Sequence, residues 1–397
     1  MSGEESSPLE GTDRFDPERS LRTKIIVLFA ALVLIIAAYS YVGTRDRSLD
    51  IEHRALISQQ QEDGLICCIQ TLTHGDESYL IMLTRELESE FRTVVLRVME
   101  LQDDGTPREI NAIGSPFPSQ VPISFAVIDR TAYIPVYGED EAGVWIADLS
   151  DPERPETLGF AETGSGVSRH LAGEDGLLVV NHTDELAIVD LTSDSGPERR
   201  ATIDREPSGS LGMTLNDGLL YVNDTALDVF HVYDLREPGS PESLATVPNP
   251  DGPGEFRVEF GVMDAADRLD ASVMPDKYLD FAVDGDRIYV AASNLGVRVL
   301  EWPEQGDPAV IDEFDLSGRA VRVSVSAGRL FVLGATAATT DEISYSIHTV
   351  DISDPERPEL VDTIEEIVAE PGLQVLLVSE DRAFLGVNDT LLVFDIR

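Results

Sequence analysis

Residues 347–364 read IHTVDISDPERPELVDTI, and residues 144–158 read VWIADLSDPERPETL. An alternating apolar run ends in an acidic residue, and a Pro-x-x-Pro turn leads into a second apolar run. Alternation with period two is the mark of a strand with one buried face. The aspartate can end the strand by bonding its own backbone two residues on, and the prolines preset φ and stop the ladder from continuing. Those aspartates are therefore read as structural rather than catalytic.

Working outward, the pattern recurs as LAIVDLTSDSGPERRATI (186–203), VFHVYDLREPGSPESLATV (229–247) and VRVLEWPEQGDPAVIDEF (297–314). Weaker copies are VLRVMELQDDGTPREINAI (95–113) and the truncated LLVFDIR (391–397). The acidic position falls at Glu100, Asp148, Asp190, Asp234, Glu301, Asp351 and Asp395, at spacings of 48, 42, 44, 67, 50 and 44 residues. Self-similarity at about 40–50 residues, with turn signals every 8–12 residues, predicts propeller blades. Within 123–161, the runs ISFAVI, AYIPV, VWIADL and ETLGFA supply four strands per copy. The fold class is therefore all-β: a seven-bladed β-propeller of four-stranded blades over residues 55–397.

The repeats resemble the LVIVD repeat, named for an apolar run ending in aspartate, here Leu186-Ala187-Ile188-Val189-Asp190; the Asp-Pro-x-x-Pro at 151–155 and 354–358 belongs to the same pattern. The resemblance implies a β-propeller of bacterial and archaeal surface proteins, mostly without an assigned activity. Glu100 and Glu301 depart from it, and the copy at 95–113 lacks the double proline.

Two features concern closure and decoration. The last copy stops without a fourth strand, and HRALISQQ (53–60) precedes the first blade, so this segment is expected to supply the missing outer strand. The long interval before Glu301 is an insertion at 248–277, and insertions on a scaffold are candidates for function.

Residues 25–43, IIVLFAALVLIIAAYSYVG, carry no charge and at ~1.5 Å per residue reach about 28 Å, enough for one transmembrane helix. Ala38-Tyr39-Ser40 would suit a signal-peptide cleavage site. However, residues 1–24 hold six acidic and four basic side chains, unlike a short basic leader, and favour an uncleaved anchor. No lipobox cysteine follows. Residues 1–24 read as a disordered cytoplasmic tail and 44–54 as a charged linker. Arg14, Arg19, Arg22 and Lys24 before the span outnumber Arg45, Arg47 and Arg54 after it, which places the propeller outside the cytoplasm.

The chain carries 29 basic and 74 acidic residues, a formal charge of −45 over 397 residues. That balance excludes nucleic acid, which needs a basic face. Lys24 and Lys277 are the only lysines, and the acids are spread along the chain, as in proteins adapted to high salt.

Chemistry-bearing motifs are scarce. The six histidines show no metal-ligand spacing, no nucleophile elbow is present, and two tryptophans are too few for a quinoprotein propeller. No catalytic residue, metal or cofactor is expected. Cys67-Cys68 falls on a strand, with the two thiols expected free and on opposite sides. Asp264, Asp267 and Asp270 line either a calcium-binding loop or a solvated acidic face. Asn181-His182-Thr183, Asn223-Asp224-Thr225 and Asn388-Asp389-Thr390 match the N-glycosylation acceptor and equally match turns between second and third strands. Loops that differ between blades gather on the face opposite the Asp-Pro turns, and there Arg169, His170, Arg257 and Arg319 are the candidate ligand-binding residues. The functional expectation is a membrane-anchored binding or scaffold module with a protein or glycan partner. A hydrolase or lyase with carboxylates at the channel mouth, and an envelope-assembly protein, are the alternatives.

Overall fold

The acid-terminated runs are the third strands of seven antiparallel sheets in the computed structural model. It describes residues 56–62, 64–85, 93–117, 122, 124–137, 142–168, 170–205, 211–224, 229–248, 279–302, 309–337, 342–354, 357–369 and 372–396. The predicted tail, membrane helix and linker, the insertion with its three aspartates, Arg169 and Arg257 lie outside these residues. Among the described residues no helix is long and apolar enough to cross a membrane.

The chain begins with β1 (Leu56–Gln61). Blade 1 follows as β2 (Leu65–His74), β3 (Glu77–Arg85), β4 (Val94–Leu101) and β5 (Pro107–Gly114). Blade 2 is β6 (Ala126–Ile128), β7 (Thr131–Tyr137), β8 (Ala142–Asp148) and β9 (Glu156–Gly164). Blade 3 is β10 (Leu171–Glu174), β11 (Leu177–Asn181), β12 (Glu185–Asp190) and β13 (Glu198–Asp204). Blade 4 is β14 (Leu211–Asn216), β15 (Leu219–Asp224), β16 (Val229–Asp234) and β17 (Glu242–Pro248). Blade 5 is β18 (Asp280–Asp284), β19 (Arg287–Ala291), β20 (Val297–Glu301) and β21 (Ala309–Phe314). Blade 6 is β22 (Arg319–Ser326), β23 (Arg329–Ala337), β24 (Ile343–Asp351) and β25 (Glu359–Ala369). Blade 7 is β26 (Gln374–Ser379), β27 (Arg382–Val387), β28 (Thr390–Asp395) and, as its outermost strand, β1.

The closure expected from the sequence is present. β1 pairs antiparallel with β28, Gln59 opposite Leu392 and Gln61 opposite Thr390. Leu56 packs with the core shared by blades 6 and 7, and Ile57 with the core shared by blades 7 and 1. The first strands of successive blades adjoin in order, and β26 returns to β2. The core is thus seven apolar layers, each between two consecutive blades. No blade buries its faces alone, which is why the copies must close into a ring.

The turn mechanism is also as expected. Asp148, Asp190, Asp234 and Asp351 each accept a bond from the backbone N–H two residues on, at 2.8–2.9 Å. Hydrogen bonds at Thr192, joined by Arg200, pull the Asp190 carboxyl down to about 2. Where glutamate replaces aspartate, the longer side chain pairs with arginine instead: Glu100 with Arg108, and Glu301 with Arg287 at 3.8 Å. The apolar residue after the acid is fixed too. Leu149, Leu235 and Ile352 are buried, and each donates its N–H to the hairpin joining the first two strands of its blade. That bond places the Asp-Pro turns and the first hairpins on one face.

The register between third and fourth strands slips at the same place in six blades, one and two residues before the acid. The extra residue on the outer strand is Ile110, Leu158, Arg200, Leu244, Ile311 or Val361. A bulge bends an outer strand and spoils it as a template for another chain. Four of these side chains, Leu158, Leu244, Ile311 and Val361, are exposed aliphatics.

Two local expectations are corrected. ISFAVI forms a strand only over Ala126–Ile128, because Ser124 instead exchanges hydrogen bonds with Leu171 of the next blade. Cys67 and Cys68 are both free, but they do not face opposite sides. A register shift between Ile66 and Cys68 breaks the alternation, and both pack in the layer between blades 1 and 2. Burial pushes the Cys67 thiol up to about 12 and raises Cys68 as well, so neither is a ready nucleophile.

Candidate functional site

Of the four predicted ligand-binding residues, His170 and Arg319 are described, and they sit on different blades. Arg319 opens β22 and is 7% exposed; its Nε and Nη2 donate to Ser293 Oγ at 3.0 and 2.6 Å. Ser293 lies in the turn between β19 and β20, so Arg319 fastens blade 6 to blade 5. His170 is buried just before β10, and its carbonyl accepts the Asn181 N–H at 2.9 Å. Neither side chain is offered on a surface.

The same face holds further buried polar groups. Arg205, leaving blade 3, pairs at 3.1 Å with Asp224 at the end of β15, and both side chains are nearly inaccessible. Thr163 Oγ1 lies 3.1 Å from Nε2 of the fully buried His182. Desolvation, with Arg199 adding to it, pushes His182 down to about 4, so it is neutral when folded. The Asn-x-Thr triplets end second strands. Asn181 and Asn223 are buried and Asn388 half-buried, so a glycan on either of the first two would start from an amide inside the fold.

One regularity is visible in the sequence only once the copies are stacked on their acids. The third residue before the acid reaches across to the fourth strand in five blades. Arg97 bonds Glu109, Trp145 bonds Thr157, and Arg298 bonds Glu313. His231 and His348 lie 3.0 and 3.2 Å from the hydroxyls of Thr246 and Thr363. The two strand histidines are therefore ties for the outer strand.

Several polar groups on or beside the inner strands are committed as well, here to the next blade. Gln70 of β2 donates to Phe125 O and accepts from Val127 N, stitching blade 1 to blade 2. Ser124 joins blade 2 to blade 3, and Glu174 accepts from Gly218 N at 3.4 Å, joining 3 to 4. Asp280 accepts from Val323 N at 3.1 Å, joining 5 to 6, and Arg322 donates to Gln374 O at 3.1 Å, joining 6 to 7. Desolvation raises the Asp280 carboxyl, with Arg322 opposing. Among the described residues no group of histidine, cysteine and acidic side chains could hold a metal ion.

An open cleft of about 590 Å³ lies on the other face, at the seam where blade 7 meets blade 1. Sequence reading assigned that face a structural role, because its turns repeat. The cleft is formed by the first hairpins of both blades and by the connection from β4 to β5. It carries six carboxylates and two guanidiniums. Glu77 accepts the Tyr79 hydroxyl at 2.6 Å, a bond that, with burial, raises that phenol to about 12. Glu100 is held by Arg108, and Asp381 by Arg382 at 3.2 Å. Asp76, Asp103 and Glu380 are exposed. Gly105, with φ +84°, lies against Arg382: a Cβ there would come within 2.0 Å of Nε. The copies could not announce this site, because it arises where the first and last of them touch.

No family model matches the sequence, and no curated protein matches it. Solved structures do match in shape. Virginiamycin B lyase from Staphylococcus aureus aligns at TM-score 0.51 and 10% identity, over 86% of this chain and 99% of that one. The WD40 domain of Toxoplasma gondii coronin aligns at 0.52 and 12%, over 87% and 86%, and the Neurospora crassa Pan2 WD40 domain at 0.52 and 11%, over 84% and 89%. At such identities the likeness is one of fold. The chain is a seven-bladed β-propeller. That fold serves lyases and interaction domains alike, so role must be argued from the residues.

Proposed function

We propose that this propeller is a non-catalytic binding or scaffold module of the LVIVD-repeat type, held at the outer side of the cytoplasmic membrane by residues 25–43. The observation that carries the reading is the commitment of Gln70, Glu174, Asp280 and Arg322 of the inner strands to the next blade. Glu174 and Asp280, acids that a channel-mouth hydrolase or lyase would need, each accept a backbone N–H from the next blade. Side chains spent on closing the ring leave the turns and clefts of the faces as the surface for recognition, and the WD40 likeness is consistent with a protein partner. Anchorage and outward display rest on the uncharged run and the excess of basic residues before it. β1 enters beside blade 7 at the Asp-Pro face, since Leu56 lies opposite Phe394, next to Asp395.

The test is affinity capture of the full-length protein from detergent-solubilised membranes, with identification of bound proteins and glycans, beside protease digestion of intact cells. A saturable partner and a digested propeller are expected. Protection of the propeller in intact cells would overturn the location, and turnover of a lactone or glycan substrate by the purified protein would overturn the non-catalytic role.

A further inference from the structure

We propose that Thr163–Ser168, the passage from blade 2 to blade 3 on the face opposite the Asp-Pro turns, is a strap that lifts from the β11–β12 turn when His182 takes up a proton. Its contacts are few. Thr163 Oγ1 lies 3.1 Å from His182 Nε2, and the Thr163 carbonyl accepts from Arg199 Nη1 at 3.2 Å. The Val167 N–H donates to Thr183 Oγ1 at 3.0 Å. Beyond Ser168 the chain is pinned again where the His170 carbonyl accepts the Asn181 N–H. Two glycines let the strap lie this close: a Cβ on Gly164 would come within 2.7 Å of His182 Nε2, and one on Gly166, at φ +83°, within 2.5 Å of Thr183 Oγ1. None of the strap's bonds to blade 3 belongs to a sheet ladder, and none of its residues is part of the apolar layer between blades 2 and 3, so it can lift with both blades intact.

The closed strap suits only a neutral ring. His182 is fully buried; its Nε2 meets one hydroxyl and its Nδ1 has no hydrogen-bond partner. An imidazolium carries two donors and needs two acceptors. The charged groups around it do not supply them. Among the described residues, Arg199 on β13 disfavours the cation, Asp184 in the turn favours it but is exposed, and Glu185 on β12 is held by Arg199 at 2.7 Å. Ser168 adds to the imbalance, because its hydroxyl is buried without a partner too. Lifting the strap returns both polar atoms to water, which makes this seam an element of low local stability. Burial holds the ring at about 4 while the strap is shut, against 6.5 in water, so falling pH favours the lifted state.

The test is native-state hydrogen exchange of the full-length protein in detergent micelles, with rates corrected for the intrinsic effect of pH. The reporter is the Val167 amide, whose acceptor is Thr183 Oγ1. Its protection should fall about twentyfold between pH 7 and pH 5, the factor by which the protonated ring biases the lifted state. At both pH values it should exchange faster than the amides of β23 and β27 and be insensitive to about 1 M urea, because local lifting exposes little surface, whereas core strands exchange by global unfolding and respond to denaturant. A Val167 amide that shares the rate and urea dependence of the core strands would overturn the proposal, since only unfolding of the whole propeller would then release it. His182→Gln cannot titrate and should abolish the pH-dependent loss; a twentyfold loss that persists in the variant would overturn the role of the ring. Ser168→Ala removes a buried hydroxyl and adds no volume, so it keeps the proposal testable should the histidine variant fold poorly. It should raise Val167 protection about threefold or more at pH 7, and unchanged or lower protection would overturn the low stability assigned to the strap.

Discussion

Acid should remove stability through His182 specifically. The imidazole is fully buried, beside Thr163, with Arg199 adding to the desolvation and Asp184 opposing it. Its folded value lies at about 4 against 6.5 for the free side chain. The unfolded chain therefore takes up a proton first as pH falls. Stability contributed by the neutral ring is intact above pH 6.5, declines between there and about 4, and is gone below. At ~1.4 kcal/mol per pH unit the gap corresponds to about 3 kcal/mol. Carboxylates titrate over the same window, so the measurement must be a difference. His182→Gln keeps a hydrogen-bonding group toward Thr163 and cannot titrate. Urea unfolding of residues 53–397 at pH 7, 6, 5 and 4, for both proteins at one salt concentration, gives the two curves. The variant should be the less stable at pH 7, and the wild type should lose about 3 kcal/mol more than the variant on going to pH 4. Parallel curves would refute the argument, because they would mean that the ring is already protonated or solvated in the folded state.

Four further outcomes are expected. The melting temperature of residues 53–397 should rise between low and molar potassium chloride, as salt screens the self-repulsion of the acidic surface; a salt-independent midpoint in differential scanning calorimetry would remove that account. Deleting residues 56–61 should leave β28 as an unpaired edge and strip Leu56 and Ile57 from two core layers, giving aggregation or domain-swapped dimers by light scattering rather than a stable monomer. Asp224→Asn should cost about 1–3 kcal/mol in urea unfolding, because it removes the carboxylate paired with the largely buried Arg205. Neither cysteine should react with a thiol reagent at pH 8 unless denaturant is added, and stoichiometric labelling of the native protein would contradict their burial.

The blade is a local object, and local objects are legible in sequence. Alternation, an acid that bonds the backbone two residues on and prolines that stop the ladder act over fewer than twenty residues, so seven copies were enough to read seven four-stranded sheets. Even the closure by residues before the first blade followed, since a copy that lacks its last strand needs one from elsewhere. Side-chain fate was less legible, because it depends on the neighbouring blade. Arg319 and His170 look like exposed cations in loops; both are buried, Arg319 because it reaches across to Ser293 of blade 5. Stacking the copies would have shown that His231 and His348 share a register with Arg97 and Arg298, yet not that each ties down an outer strand. The cleft was beyond reach altogether. Asp76 and Asp103 lie some 300 positions from Arg382 in the chain, and each is unremarkable in its own turn. The sequence by itself determined the repeating unit and its count, because periodicity is written into every copy. Only the tertiary structure decided which charges are paired, which are buried and which remain free at the seam, because those are set by contacts that exist once the ring is closed.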